Sequence, residues 1–224
     1  MKKHRLATRL WHWVNLLALA ILFMSGLNIS NAHPRLYWGD WGFESSEAWL
    51  HVMRFPGWAT IPGHYSLAGA RDWHLLFAWV FALALLLFMI ASLLNRHFMR
   101  DLVTTRKEWR WSAIRADIVS HLKFDFSRGE GKYNFLQKLA YAIVVFILLP
   151  TMILTGMSIS PGLEPLTDPL LALVGGRQSA RSIHFITAWA LFGFFLLHVT
   201  LVLLSGPLGQ LRDMITGGPI DETA

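Results

Sequence analysis

Four stretches of this chain carry no Lys, Arg, Asp or Glu: Leu10–Ser30, Trp73–Leu94, Leu139–Ser160 and Ser182–Gly206. Each exceeds the ~20 apolar residues that a helix needs to cross about 30 Å of hydrocarbon. Strands of a membrane barrel would be shorter, about 9–11 residues, and would alternate apolar with polar positions. The chain therefore reads as all-α: a bundle of four transmembrane helices at about residues 10–30, 73–94, 136–160 and 182–206. An external loop over 31–70 and a cytoplasmic loop over 95–135 complete a single membrane domain, 1–224. Only 15% of residues are charged, against about 25% in soluble domains.

The net charge of +6 is no sign of a nucleic-acid partner once its placement is considered. Four basic residues precede the first window, ten lie between the second and third, and Arg212 follows the fourth. The other two loops hold five, Arg35, Arg54, Arg71, Arg177 and Arg181. Cytoplasmic loops carry the excess of Lys and Arg, so both termini and the central loop are expected in the cytoplasm. The same charges suit anionic membrane lipid. Cysteine is absent, which excludes disulfides, thioether-attached haem and thiolate-held iron–sulfur clusters. The basic, apolar start looks like a secretory leader. Its apolar run is longer than the usual ~7–15 residues and holds Trp11, His12, Trp13 and Asn15, so it is expected to stay as the first span.

The halves repeat. Phe23-Met24-Ser25-Gly26-Leu27-Asn28-Ile29-Ser30 at the end of the first window matches Ile153-Leu154-Thr155-Gly156-Met157-Ser158-Ile159-Ser160 at the end of the third. Arg71-Asp72-Trp73-His74 with Ala78-Trp79 matches Arg181-Ser182-Ile183-His184 with Ala188-Trp189. A shared Arg-x-x-His-x-x-x-Ala-Trp register reads as duplication of a helix pair. Trp38, Trp41, Trp49, Phe55 and Trp58 in the external loop suit the membrane interface. A short interfacial helix is expected near Ser45–Arg54, and a cytoplasmic one near Trp111–Leu122.

Four of the ten histidines, His12, His74, His184 and His198, fall inside the windows. Ionisable groups there are costly and generally face the bundle interior with a task. His184 and His198 are 14 residues apart, close to four helical turns and so nearly on one face, about 21 Å apart along the axis. They cannot share a metal but can serve two centres. Depth along each helix then pairs His74 with His184 at the outer level and His12 with His198 at the inner one. Zinc, copper or non-haem iron would want further protein ligands, and no Asp, Glu or Cys lies within the windows. Haem brings four nitrogens and needs only axial ligands, so two non-covalent, bis-histidine b haems are the economical expectation. Arg9, Arg71 and Arg181 each lie three residues before one of these histidines; they could pair haem propionates or simply mark the boundary. His97 is a lesser candidate to replace His12, and His4, His33, His51, His64 and His121 fall in loops.

Arg9-Leu10-Trp11-His12-Trp13-Val14-Asn15, with Ser25-Gly26-Leu27, resembles the first helix of a dihaem cytochrome b family. That family includes formate dehydrogenase gamma subunits and the cytochrome b subunits of nickel hydrogenases and thiosulfate reductases. Gly131-Lys132-Tyr133-Asn134-Phe135-Leu136-Gln137-Lys138, the His184 and His198 pair, and Gly206-Pro207-Leu208-Gly209-Gln210 extend the likeness over all four helices. The resemblance implies electron transfer between the quinone pool and a periplasmic catalytic redox subunit, with the same four histidines as ligands. It also implies quinone near Asn134, Gln137 and His198, although Asn134 and Gln137 would equally cap a helix. Arg54-Phe55-Pro56-Gly57-Trp58-Ala59-Thr60-Ile61-Pro62 looks like members that accompany molybdenum-cofactor oxidoreductases. Two rival readings stand beside this one. In the first, a self-sufficient quinone-linked oxidoreductase acts on a small oxidant such as superoxide, approached past Arg71 and Arg181. In the second, a haem-free transporter or assembly factor uses its histidines for protons or ions.

Overall fold

The computed structural model describes residues 5–96, 98–99, 102–122 and 133–218. Its helices are, in chain order, α1 (Leu6–Ala32), α2 (Leu67–Leu94), α3 (Trp111–Leu122), α4 (Phe135–Ile159), α5 (Glu164–Val174), α6 (Arg177–Leu204) and α7 (Pro207–Thr216). The four long ones, α1, α2, α4 and α6, coincide with the uncharged windows and run 25–28 residues, about 38–42 Å at ~1.5 Å per residue. Their exterior is apolar, with Leu75, Leu76, Trp79, Leu83, Leu86 and Leu87 of α2 all exposed. Their interior sets small polar side chains among apolar ones: Asn28, Ser25, Ser158 and Ser182 are fully buried beside Leu149, Ala18 and Ala180, and Phe81, Leu85 and Phe88 are nearly so. A protein solvated by lipid is built this way, since lipid tails accept leucine freely while small polar residues let helices approach and hydrogen-bond. This is a multi-pass membrane protein.

Helix α4 contains a π-helical turn, Val144–Leu148, just ahead of Pro150. Pro150 lacks an N–H and its ring crowds the carbonyl four residues back, so the wider turn relieves the clash. Gly206 (φ 94°) and Pro207 separate α6 from α7.

Close contacts divide the chain into two units, Met1–Trp13 with Leu85–Ile147 and Gly193–Ala224, and Val14–Ala84 with Leu148–Phe192. In the first, the Trp11 ring stacks on Phe88 with centres 4.2 Å apart. Helix α7 docks on the start of α1: the Met214 carbonyl accepts from Arg9 Nε (3.3 Å) and Trp13 Nε1 (3.4 Å). Helix α3 forms where the sequence places it, and its Asp117 accepts the Leu136 N–H at 2.8 Å. A carboxylate there complements the positive end of α4. Lys138 of α4 pairs with Glu108 at 2.8 Å.

In the second unit, residues 33–66 are tied to helix ends by buried and half-buried polar side chains. Asn28 donates to the carbonyls of Pro62 (3.0 Å) and His64 (2.9 Å), and Asn31 bonds both backbone groups of Phe55. Ser182 donates to the Tyr37 carbonyl at 2.6 Å and accepts the Trp49 indole N–H at 3.0 Å. The Gly39 carbonyl accepts from Gln178 and Ser179, capping α6. Gly176 sits at φ 105°, and a Cβ there would strike Asp40. The helix expected near Ser45–Arg54 does not form. A single 3₁₀ turn, Ser45–Glu47, leads instead into β2 (Leu50–His51), which pairs antiparallel with β1 (Arg35–Leu36). Trp49, held by Ser182, fixes the segment as extended chain. Trp41 and Trp58 are 77% and 84% exposed, as membrane-interface rings would be, whereas Phe55 packs against Trp189.

Candidate functional site

His74 lies seven residues into α2 and His184 seven into α6. Their ring centres are 6.3 Å apart. His74 Nδ1 is 3.0 Å from Ser25 Oγ, and His184 Nδ1 is 3.0 Å from Thr155 Oγ1. Each hydroxyl has one proton, and it is already committed to its own helix: Ser25 donates to the Ile21 carbonyl at 2.7 Å and Thr155 to the Thr151 carbonyl at 2.6 Å. The hydroxyl oxygens therefore accept from the imidazoles, beside the backbone carbonyls of Leu22 for His74 and Met152 for His184, which assigns the proton to Nδ1 and leaves the Nε2 lone pairs free. A glycine follows each hydroxyl. A Cβ at Gly26 would stand 3.6 Å from His74 Cε1, and one at Gly156 would stand 3.3 Å from His184 Cε1.

That difference makes a prediction. Gly26→Ala adds an ordinary van der Waals contact and should leave the site intact. Gly156→Ala must push the His184 ring by a few tenths of an ångström. Its visible spectrum should shift or its cofactor content fall, while Gly26→Ala matches the parent in both.

The other unit holds a second pair, with the ring centres of His12 on α1 and His198 on α6 6.4 Å apart. His198 lies over Phe194, and His12 meets Trp13 edge-on. Here the surroundings differ. His12 Nδ1 and Trp11 Nε1 are buried and have no hydrogen-bond partner among the described residues. Asn15 Oδ1 is a third such atom, and orphaned buried polar groups cost about 1–3 kcal/mol each.

Among the described residues, no cluster of three or more His, Cys, Asp or Glu could hold a metal ion. Each centre thus offers two imidazoles and nothing else. An imidazole nitrogen binds a transition metal at about 2.0–2.1 Å, and the ring centre lies ~1.15 Å behind it. Two imidazoles that would share one metal atom therefore have ring centres at most about 6.3–6.5 Å apart. Both pairs meet that spacing, and a porphyrin would supply the remaining four ligands.

A model of the prokaryotic cytochrome b561 family matches residues 3–217. The chain belongs to that family. Its members bind haem b, so this cytochrome is a membrane haem protein of electron transport. A protein of Azospira oryzae, provisionally named as the protein-methionine-sulfoxide reductase subunit YedZ1, is 29% identical over 198 residues, covering 88% of this chain and 87% of its own. A protein of Cupriavidus necator, provisionally named as a nickel–iron hydrogenase B-type cytochrome subunit, is 24% identical over 223 residues, covering 93% and 82%. No solved structure matches significantly.

The remaining candidates in this cytochrome are placed differently from one another. Arg181 donates to the carbonyls of His33 (2.8 Å) and Arg35 (2.7 Å) and to Gln178, so its guanidinium clamps the loop. Arg9 holds α7 through Nε. Arg71 is exposed and has no hydrogen-bond partner among the described residues. Partial burial, then the charges of Arg181 and Arg71, hold the His33 pKa below its ordinary value. Asn134 and Gln137 form a capping box at the start of α4, with Gln137 Oε1 accepting the Asn134 N–H at 3.2 Å. His51, in β2, and His64, in the loop, are exposed, while His4, His97 and the side chain of His121 lie outside the described residues. Ser25 and Thr155 are imidazole partners that the sequence alone does not assign. The signal was present in the repeat, where each hydroxyl–glycine pair precedes one histidine.

Proposed function

We propose that this cytochrome holds two b haems per chain, one between His74 and His184 and one between His12 and His198. On this reading it passes electrons between quinone and a catalytic redox subunit. The observation that carries the proposal is the recurrence of an isolated imidazole pair at one spacing, 6.3 and 6.4 Å, in two separate units. A haem bound at each pair would supply one-electron chemistry between ferric and ferrous iron. The chain would supply the imidazole nitrogens of both pairs and, through Ser25 and Thr155, the orientation of the His74 and His184 rings. Placement of basic residues supports both termini in the cytoplasm of a bacterial inner membrane. It assigns the His74 and His184 pair to the periplasmic level and the His12 and His198 pair to the cytoplasmic one.

The relatives' names, each a subunit of a redox enzyme, support a catalytic partner. The likeness of residues 54–62 to companions of molybdenum-cofactor enzymes favours a periplasmic molybdoenzyme. Quinone is assigned to Asn134, Gln137 and His198. The capping box engages the amide oxygens of Asn134 and Gln137 and leaves their NH₂ groups as donors suited to a quinone carbonyl.

Gln137 supplies the test. Gln137→Glu keeps the capping oxygen and loses the donor. Anaerobic reduction of the purified cytochrome by a short-chain quinol should then slow about tenfold, ~1.4 kcal/mol in barrier, with haem content unchanged. An unaltered rate would remove quinone from this position. Turnover with quinol and superoxide but no partner would instead favour the self-sufficient oxidoreductase.

A further inference from the structure

We infer that Ser25 and Thr155 are positioning residues whose hydroxyls lower the reduction potential of the centre held by His74 and His184. The inference rests on the reading that these two histidines ligate one haem.

The two hydroxyls are equivalent by the internal repeat and by geometry. Ser25 is fully buried and Thr155 is 3% exposed. Each lies 3.0 Å from an imidazole Nδ1, with its only proton held by a backbone carbonyl one turn back. The neighbouring glycines, Gly26 and Gly156, leave room for the ring against the helix backbone. The unit is a cradle: glycine admits the imidazole edge, and the hydroxyl, beside the carbonyl of Leu22 or Met152, fixes its rotation and tautomer.

An Nδ1–H that donates a hydrogen bond makes the opposite nitrogen a stronger base, and so a better donor to a metal. A more strongly donating axial ligand favours ferric over ferrous iron, because the higher charge gains more. Burial strengthens the effect, since the bond operates away from water. The first unit has no counterpart among the described residues: His12 Nδ1 is buried without a partner. The contribution therefore belongs to one centre only.

A blander role exists for both residues. Ser and Thr in membrane helices often bond the carbonyl four residues back with no further consequence. That role concerns the helix and would leave a redox potential where it was, so potential is the measurement that separates the two.

The experiment is an optical redox titration of the purified full-length cytochrome with Ser25→Ala, Thr155→Val and their combination, with haem counted in each. Two haems per chain should remain, and one of the two potentials should rise. Each lost hydroxyl should change the oxidised-to-reduced ratio at fixed potential threefold to tenfold, about 30–60 mV at ~59 mV per decade for one electron. The second potential should stay in place, and Thr155→Ser should keep the parental value. Thr155→Val is isosteric and carries the test alone if Ser25→Ala binds haem poorly. Two retained haems with both potentials unmoved would overturn the inference while leaving the ligand reading intact. A parent protein with one haem, or a His184→Ala variant that keeps both, would remove the ligand reading and the inference with it.

Discussion

His184→Ala is expected to lower the haem content of the purified cytochrome from two per chain to one. Electron delivery to or from its catalytic partner should fall to background, a loss of at least a hundredfold, ~2.7 kcal/mol in barrier. The reason is the poverty of the site. His184 and His74 face each other with no third metal-binding side chain among the described residues. No neighbour can step in as it could in a site lined with carboxylates. The fold should survive. Thr155 keeps its bond to the Thr151 carbonyl and loses only an incoming donor, which leaves an under-used acceptor rather than a stranded proton. Ser25 still holds His74. Circular dichroism should therefore match the parent while the haem spectrum halves. A variant that keeps two haems would show that another residue ligates the iron.

His198→Ala should produce the complementary defect. Haem content should again fall to one, but the surviving centre should be the one held by His74 and His184. Its potential should equal the value that His184→Ala abolishes. Reduction by quinol should drop at least a hundredfold (~2.7 kcal/mol), because the proposed quinone position lies in the same unit as His12 and His198. Reduction by dithionite, which needs no quinone site, should proceed normally. The loss of His198 also strips Phe194 of its ring contact, so a modest fall in thermal stability is expected. Two variants with identical residual spectra and potentials would mean that the four histidines do not form two independent pairs.

Much of this arrangement was legible in the residues alone, and for a physical reason. Hydrocarbon tolerates so few charges that four uncharged windows place four spans, and an intramembrane histidine needs a justification that a surface one does not. The limits of the spans were less legible. Helix α6 starts at Arg177, not Ser182, because the Gly39 carbonyl and Asp40 cap it from 137 or more residues away, and no local signal records such a partner. Helix α2 starts at Leu67, with Ser66 accepting the Gly69 N–H at 3.2 Å, a cap that the sequence did display. The segment Ser45–Arg54 resembled an interfacial helix but is held extended by Ser182, more than a hundred residues on.

The same division runs through the site. The pairing of His74 with His184 and of His12 with His198 followed from depth along helices, and the structure brings each pair together. The arginines illustrate what spacing cannot show. Arg9, Arg71 and Arg181 share one offset from their histidines, yet Arg9 anchors α7, Arg181 clamps residues 33–35 and Arg71 is exposed. Their tertiary partners differ although their register is the same. Asn134 and Gln137 carried two readings, and the capping box uses only the oxygens of their amides. The hydroxyls of Ser25 and Thr155 were visible as a repeat, but their meaning depended on a ring arriving from the next helix.

The most direct test of the two-centre account is to count haem in the purified full-length protein and record its electron paramagnetic resonance spectrum in the oxidised state. The account predicts two non-covalent b haems per chain, both low-spin with bis-imidazole signals. One haem per chain, or a high-spin centre with a single histidine, would contradict it.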